Sequence, residues 1–99
     1  MSAPEIVLQP GDRLSRSARV LATEVDGETV MLALDTSLYH SLEGVAARIW
    51  ELLETPATVE AMSHTIAAHY GVPVEQCEPD IREFFEDLIR ADLVLIESR

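Results

Sequence analysis

Residues Arg19–Leu42 read RVLATEVDGETVMLALDTSLYHSL, and the fold turns on how this stretch pairs with itself. Two runs rich in strand formers flank Asp26-Gly27. A two-residue type I′ turn needs positive φ at both central positions, and Asp-Gly supplies them. Counting back from that turn pairs Thr23 with Val30 and Leu21 with Leu32. Val30, Leu32 and Leu34 then share a face with Leu21, and that face is expected to be buried. Val20, Ala22, Met31 and Ala33 make the other face, which is also apolar, so at least partial cover on both sides is expected. Asp35-Thr36-Ser37 reads as a second turn, because Asp and Ser bond back to their own backbone. A third strand follows at about 38–42. Leu38, His40 and Leu42 point to one side and Tyr39 and Ser41 to the other. Short consecutive connections make a meander, which leaves the third strand at an edge. Proteins blunt exposed edges with charge or proline. Ser37–Leu42, SLYHSL, contains neither, which marks it as a candidate docking edge.

Three helices are predicted downstream. The first spans about 44–54, with Val45, Ile49, Trp50 and Leu53 on one stripe, and ends at Glu54-Thr55-Pro56. The second starts after Thr58, a good N-cap, and carries Val59, Met62, Ile66 and Tyr70, with Ala67 beside them. Gly71 stands where a left-handed C-terminal residue belongs. The third is expected to start near Pro79, with Asp80 favoured by the helix dipole and Ile81, Phe84, Phe85 and Leu88 on its stripe. The apolar tail Leu93–Ile96 is read as a short strand or a buried end. Residues 1–18, broken by Pro4, Pro10 and Gly11, are read as an irregular surface arm, and residues 19–96 as the domain. The order βββααα is α+β by class: a three-stranded antiparallel meander followed by three helices, compatible with a winged-helix arrangement.

Ninety-nine residues fit one small domain, and 47% apolar residues suffice for a modest core. No apolar run is long enough to span a membrane. Met1–Pro10 carries acid where a signal peptide carries base, so a cytoplasmic location is expected. The single Cys77 cannot form an internal disulfide. Eighteen acids face seven arginines and no lysine, a net charge of −11 that repels phosphate backbones and favours cationic or neutral partners.

That balance also weighs against a transcription factor. In a winged helix the third helix would read DNA, yet Glu78–Asp92 holds six acids and two arginines. Counterion release needs the opposite sign. No catalytic constellation is visible either. His64 and His69 are five residues apart and do not stack on one helix face, so neither a metal site nor a cofactor is expected. Cys77 lies among Glu75, Glu78 and Asp80, whose charges oppose thiolate formation. The four glycines are isolated from one another, so there is no phosphate loop. The acid pairs of the third helix read as a solvated face. A binding module remains, with Tyr39, Phe84 and Phe85 available to line a peptide groove while Trp50 is taken as core. A homodimer joined through its edge strands is the competing non-enzymatic reading.

The order and spacing of several features resemble the PqqD-like family, the recognition elements for precursor peptides of ribosomally made, modified products. These features are Tyr39 and Leu42 on the strand, Ile49-Trp50, Thr58-Val59, Tyr70-Gly71-Val72, and Asp80, Phe84, Phe85 and Leu88. The resemblance covers residues 20–96. Two positions depart from the family's habit: Glu43 stands where Asn often caps the first helix, and Ala91-Asp92 where Gly often ends the third. The resemblance implies that a precursor's leader adds as a strand to the third strand, beside the third helix. Strand addition gives affinity through main-chain bonds and selectivity through alternate side chains. On this chain the implied contacts are Leu38, Tyr39, His40 and Ser41, with Asp80, Phe84 and Asp87 on the helix flank and Ile81 and Leu88 behind them. Acids beside the groove would suit a leader carrying Lys or Arg. The chain is most similar to stand-alone leader-binding proteins of lasso-peptide biosynthesis, which implies a cysteine-protease-type leader peptidase and a cyclase as partners. The alternative is the pyrroloquinoline quinone branch of the family, which serves a radical enzyme.

Overall fold

The computed structural model describes residues 8–9 and 11–97; Pro4 and Pro10 of the expected arm lie outside them. The elements are β1 (Leu14–Arg16), β2 (Val20–Val25), β3 (Glu28–Ala33), β4 (Leu38–Leu42), α1 (Gly44–Leu52), α2 (Val59–Tyr70), α3 (Val74–Arg90) and β5 (Val94–Ile96). Strands β2, β3 and β4 form the expected antiparallel meander, with Thr23 opposite Val30 and Leu21 opposite Leu32. Asp26 (φ 51°) and Gly27 (φ 83°) supply the two left-handed residues of the turn. The second hairpin closes through the Ser37 N–H, which donates to the Ala33 carbonyl at 2.8 Å, with Ser37 itself left-handed at φ 58°.

The buried face of this sheet is the opposite of the one expected. Met31 and Ala33 are fully buried, whereas Leu21 is 60% exposed and Leu34 is also open to solvent. Alternation fixes which residues share a face but not which face meets the helices. Ala33 is small and Met31 is flexible, which lets α1 lie close against β3. On the outer face Leu21 is open to solvent, while Val30 and Leu32 are half-buried.

The stretch expected to be irregular contains β1, which pairs antiparallel with β5 to make a second, two-stranded sheet. Leu14 has no exposed surface and exchanges backbone bonds with Ala57 at 2.8 and 3.1 Å. It therefore ties the α1–α2 connection to the chain's end. Arg16 then reaches α1. Its Nε and Nη2 donate to the Trp50 carbonyl at 3.1 and 2.5 Å, and its Nη2 also reaches the Glu51 carbonyl at 3.2 Å. These are carbonyls of the helix's last turn, where they also accept from the Leu53 and Glu54 N–H groups at 3.2 Å. The guanidinium carbon also sits 4.9 Å from the centroid of the buried Trp50 ring.

Helix α2 matches its expected bounds. The Thr58 hydroxyl accepts from the Ala61 N–H at 3.0 Å, and Gly71 is left-handed at φ 69°. Tyr70, expected on the buried stripe, is 46% exposed, and Val45 of α1 is 42% exposed. Helix α3 starts at Val74, so Pro79 lies inside it rather than in its first turn. Pro79 removes one intrahelical donor, which is tolerable in a helix whose Ile81, Phe85 and Leu88 are all buried in the core. At the far end Asp92 adopts φ 59°, and the Leu93 N–H closes the helix onto the Leu88 carbonyl at 3.0 Å. Asp is among the few non-glycine residues that accept this conformation. At the start of α1 the Glu43 side chain makes no capping bond.

Candidate functional site

The register determines which backbone groups of β4 are free. A two-residue turn makes Val25 and Glu28 a hydrogen-bonded pair, and bonded and non-bonded pairs alternate from there. Val30 and Leu32 therefore direct their N–H and C=O to β2, while Thr29, Met31 and Ala33 direct theirs to β4. His40 and Leu42, opposite Met31 and Thr29, bond inward, as does the Leu38 carbonyl opposite Ala33, while the Leu38 N–H donates to the Thr36 hydroxyl at 3.3 Å. Tyr39 and Ser41 direct their N–H and C=O away from the sheet, along the border that β4 forms. The side chains alternate too. Tyr39 lies on the outer face with Leu32 and Leu21 and is 73% exposed. Leu38, His40 and Leu42 lie on the helix side. Leu38 is nonetheless 57% exposed, and the buried Nε2 of His40 has no hydrogen-bond partner among the described residues.

Three residues past the end of β4, Val45 opens a predominantly apolar cavity of about 230 Å³. The end of α2 contributes Ile66 and Tyr70 to it, and α3 contributes Gln76, Cys77, Asp80 and Ile81. At about 100° per residue, Cys77, Asp80, Phe84 and Asp87 fall on one flank of α3. Ile81 and Leu88 are buried beneath that flank, Phe84 is half-buried, and Asp80 and Asp87 are exposed. The structure thus brings Asp80 and Ile81 to the cavity wall. Phe84 and Asp87 continue the same flank beyond it, and Leu88 belongs to the core. Val45, Tyr70, Val72 and Cys77 also line the cavity and were not anticipated from the sequence. Their signal was positional. Val45 and Tyr70 sit at the ends of their stripes beside Gly44 and Gly71, where a helix stops and its last apolar residue runs out of neighbours.

The charges around the cavity are unevenly paired. Arg82 reaches Glu78 at 3.6 Å on the far flank of α3, and Arg90 reaches Asp87 at 3.4 Å. Asp80 has no ion pair or hydrogen bond among the described residues. A larger cavity of about 380 Å³ lies between the first hairpin and α1, but its arginines are engaged: Arg16 with Trp50, and Arg48 with Glu51 at 3.5 Å. Among the described residues no three His, Cys, Asp or Glu side chains are grouped to hold a metal, and no helix is long and apolar enough to cross a membrane.

Comparison with known proteins identifies the family and the fold. The family model for coenzyme PQQ synthesis protein D (PqqD) matches residues 28–94. A PqqA binding protein of Rhizobium meliloti (strain 1021) is 26% identical over 86 residues, which is 86% of each chain. The solved structure of TbiB1 in complex with the TbiA(beta) leader peptide superposes with a TM-score of 0.74 at 34% identity, covering 86% of this chain and 96% of that one. A lasso peptide synthetase B1 complexed with its leader peptide gives 0.73 at 20% identity over 83% and 96%, a likeness of fold.

Proposed function

The chain belongs to the PqqD family, and from that premise we propose that it is a non-catalytic module that binds the leader of a ribosomally made precursor peptide. The leader adds as a strand to the border of β4 and lies beside α3. One observation carries this reading: Tyr39 and Ser41 aim paired donors and acceptors outward from an edge that no charge or proline protects, and the chain leaving that edge reaches an apolar cavity at Val45. Leu38–Ser41 supply the ladder, Asp80, Phe84 and Asp87 the flank, and Ile81 and Leu88 the support beneath it. The leader is disordered when free, and ordering it offsets part of the contact energy, so affinity is moderate and release is possible. The bound peptide is then presented to modifying enzymes at high effective concentration.

The lasso branch is favoured because a leader-bound protein, TbiB1, is 34% identical to this chain and a leader-bound lasso peptide synthetase B1 shares its fold, against 26% identity for the PqqA binding protein. Its recipients are a cysteine-protease-type leader peptidase and a cyclase, acting in the cytoplasm. In the second reading the peptide is of the PqqA type and the recipient is a radical enzyme. Titrating the isotopically labelled chain with the TbiA(beta) leader and, separately, with PqqA tests both. Amide shifts are expected at residues 38–41 and 80–88, with the interior of α2 unchanged. Shifts confined to other surfaces, or none with either peptide, would refute leader binding at β4. A stronger response to PqqA would favour the second branch.

A further inference from the structure

We propose that Asp80 gives the groove a preference for charge, selecting leaders with a Lys or Arg two residues from the apolar side chain that fills the cavity. The inference rests on the leader-binding reading and specifies what that site accepts. A strand added to β4 shares the sheet's alternation. Residues opposite Tyr39 and Ser41 project onto the outer face, and those opposite Leu38, His40 and Leu42 project to the helix side. Only every second residue of the guest therefore faces the helices, and these neighbours stand about 6.8 Å apart. The cavity takes an apolar side chain between Val45, Ile66, Tyr70 and Ile81. Asp80 forms part of that same wall, so the next helix-side position of the guest passes its carboxylate.

Asp80 differs from the other acids of α3. Glu78 and Asp87 are engaged by Arg82 and Arg90. Glu75 and Glu86 lie well round the helix from the cavity, and Glu83, about 60° from Asp80, does not line it. Asp80 alone among these acids both lines the cavity and lacks a cation partner among the described residues. A cation here gains a local partner in addition to the long-range field of the chain's −11 charge. An apolar groove with one unpaired carboxylate on its wall is complementary to a strand that is apolar at one helix-side position and basic at the next.

The test is a lysine scan of the TbiA(beta) leader against the full chain, with affinity read by fluorescence anisotropy. One position, two residues from the cavity-filling side chain, is expected to bind about three- to fivefold tighter as Lys. Asp80→Asn should abolish that gain. Glu75→Gln changes the net charge equally but lies about 140° round the helix from Asp80, and should preserve it. The gain should also shrink between about 0.05 M and 0.5 M salt. If no position gains, or if both substitutions erode the gain equally, the inference is overturned while leader binding stands. If neither the leader nor any of its Lys variants binds, both fall.

Discussion

Tyr39→Pro isolates the hydrogen bonds on which leader binding is argued to depend. The Tyr39 N–H faces the free border of β4, so proline there removes no bond of the β3–β4 ladder. The ring it deletes is 73% exposed, so the fold loses little burial. Binding is affected differently. The border offers the N–H and C=O of Tyr39 and of Ser41, and each bond to a guest is worth about 0.5–1.5 kcal/mol net. Proline removes one donor, leaves the guest's carbonyl unpartnered and sets its ring against the incoming strand. The expected loss is about 1–3 kcal/mol, roughly 5- to 150-fold in Kd. His40→Pro is the matched opposite. The His40 N–H bonds inward to Met31, so that substitution breaks the sheet itself and should cost about 1–3 kcal/mol of stability. Tyr39→Ala separates the side chain from the donor. Anisotropy of labelled TbiA(beta) leader gives Kd, and urea unfolding followed by the single tryptophan, Trp50, gives stability. A folded Tyr39→Pro protein that binds within twofold of the parent would refute the reasoning. So would a Tyr39→Ala protein that loses as much as the proline variant, since the ring and not the backbone would then carry the affinity.

The core and the N-terminal brace can be tested in the same way. Phe85 has no exposed surface, and Phe85→Ala should destabilise the chain by about 3–5 kcal/mol, visible as a lower urea midpoint with an unchanged slope. Arg16→Ala removes the donors to the Trp50 and Glu51 carbonyls and the cation over the indole. It should cost about 1.5–3 kcal/mol and shift the native Trp50 emission. An unchanged native spectrum would show that the contact is not populated in solution.

Local chemistry was legible along the chain wherever a residue's own conformational preference settles the outcome. Asp26-Gly27 determines a two-residue turn, and with it the register of β2 on β3, because few other residues accept positive φ twice. Thr58 and Gly71 delimit α2 for equally local reasons: a hydroxyl that reaches the Ala61 N–H and a backbone without a Cβ. The edge position of β4 followed from short connections, and the candidates on it and on α3 followed from the family resemblance. Asp80 could be placed on a helix, but nothing in its neighbours in sequence shows that Arg82 turns to Glu78 and leaves it unpaired.

What the sequence determined by itself is therefore the meander of three strands followed by three helices, the register of the first hairpin and the alternation that sets Tyr39 and Ser41 on one side of β4. Tertiary structure decided the rest. It buried Met31 and Ala33 instead of Leu21 and Leu34, drew β1 onto β5 from the other end of the chain, and left Val45 and Tyr70 exposed around a cavity. The physical reason is common to all three. Alternation and helical period fix relative positions within an element, but burial depends on which distant element arrives, and a residue carries no local mark of a neighbour some eighty positions away.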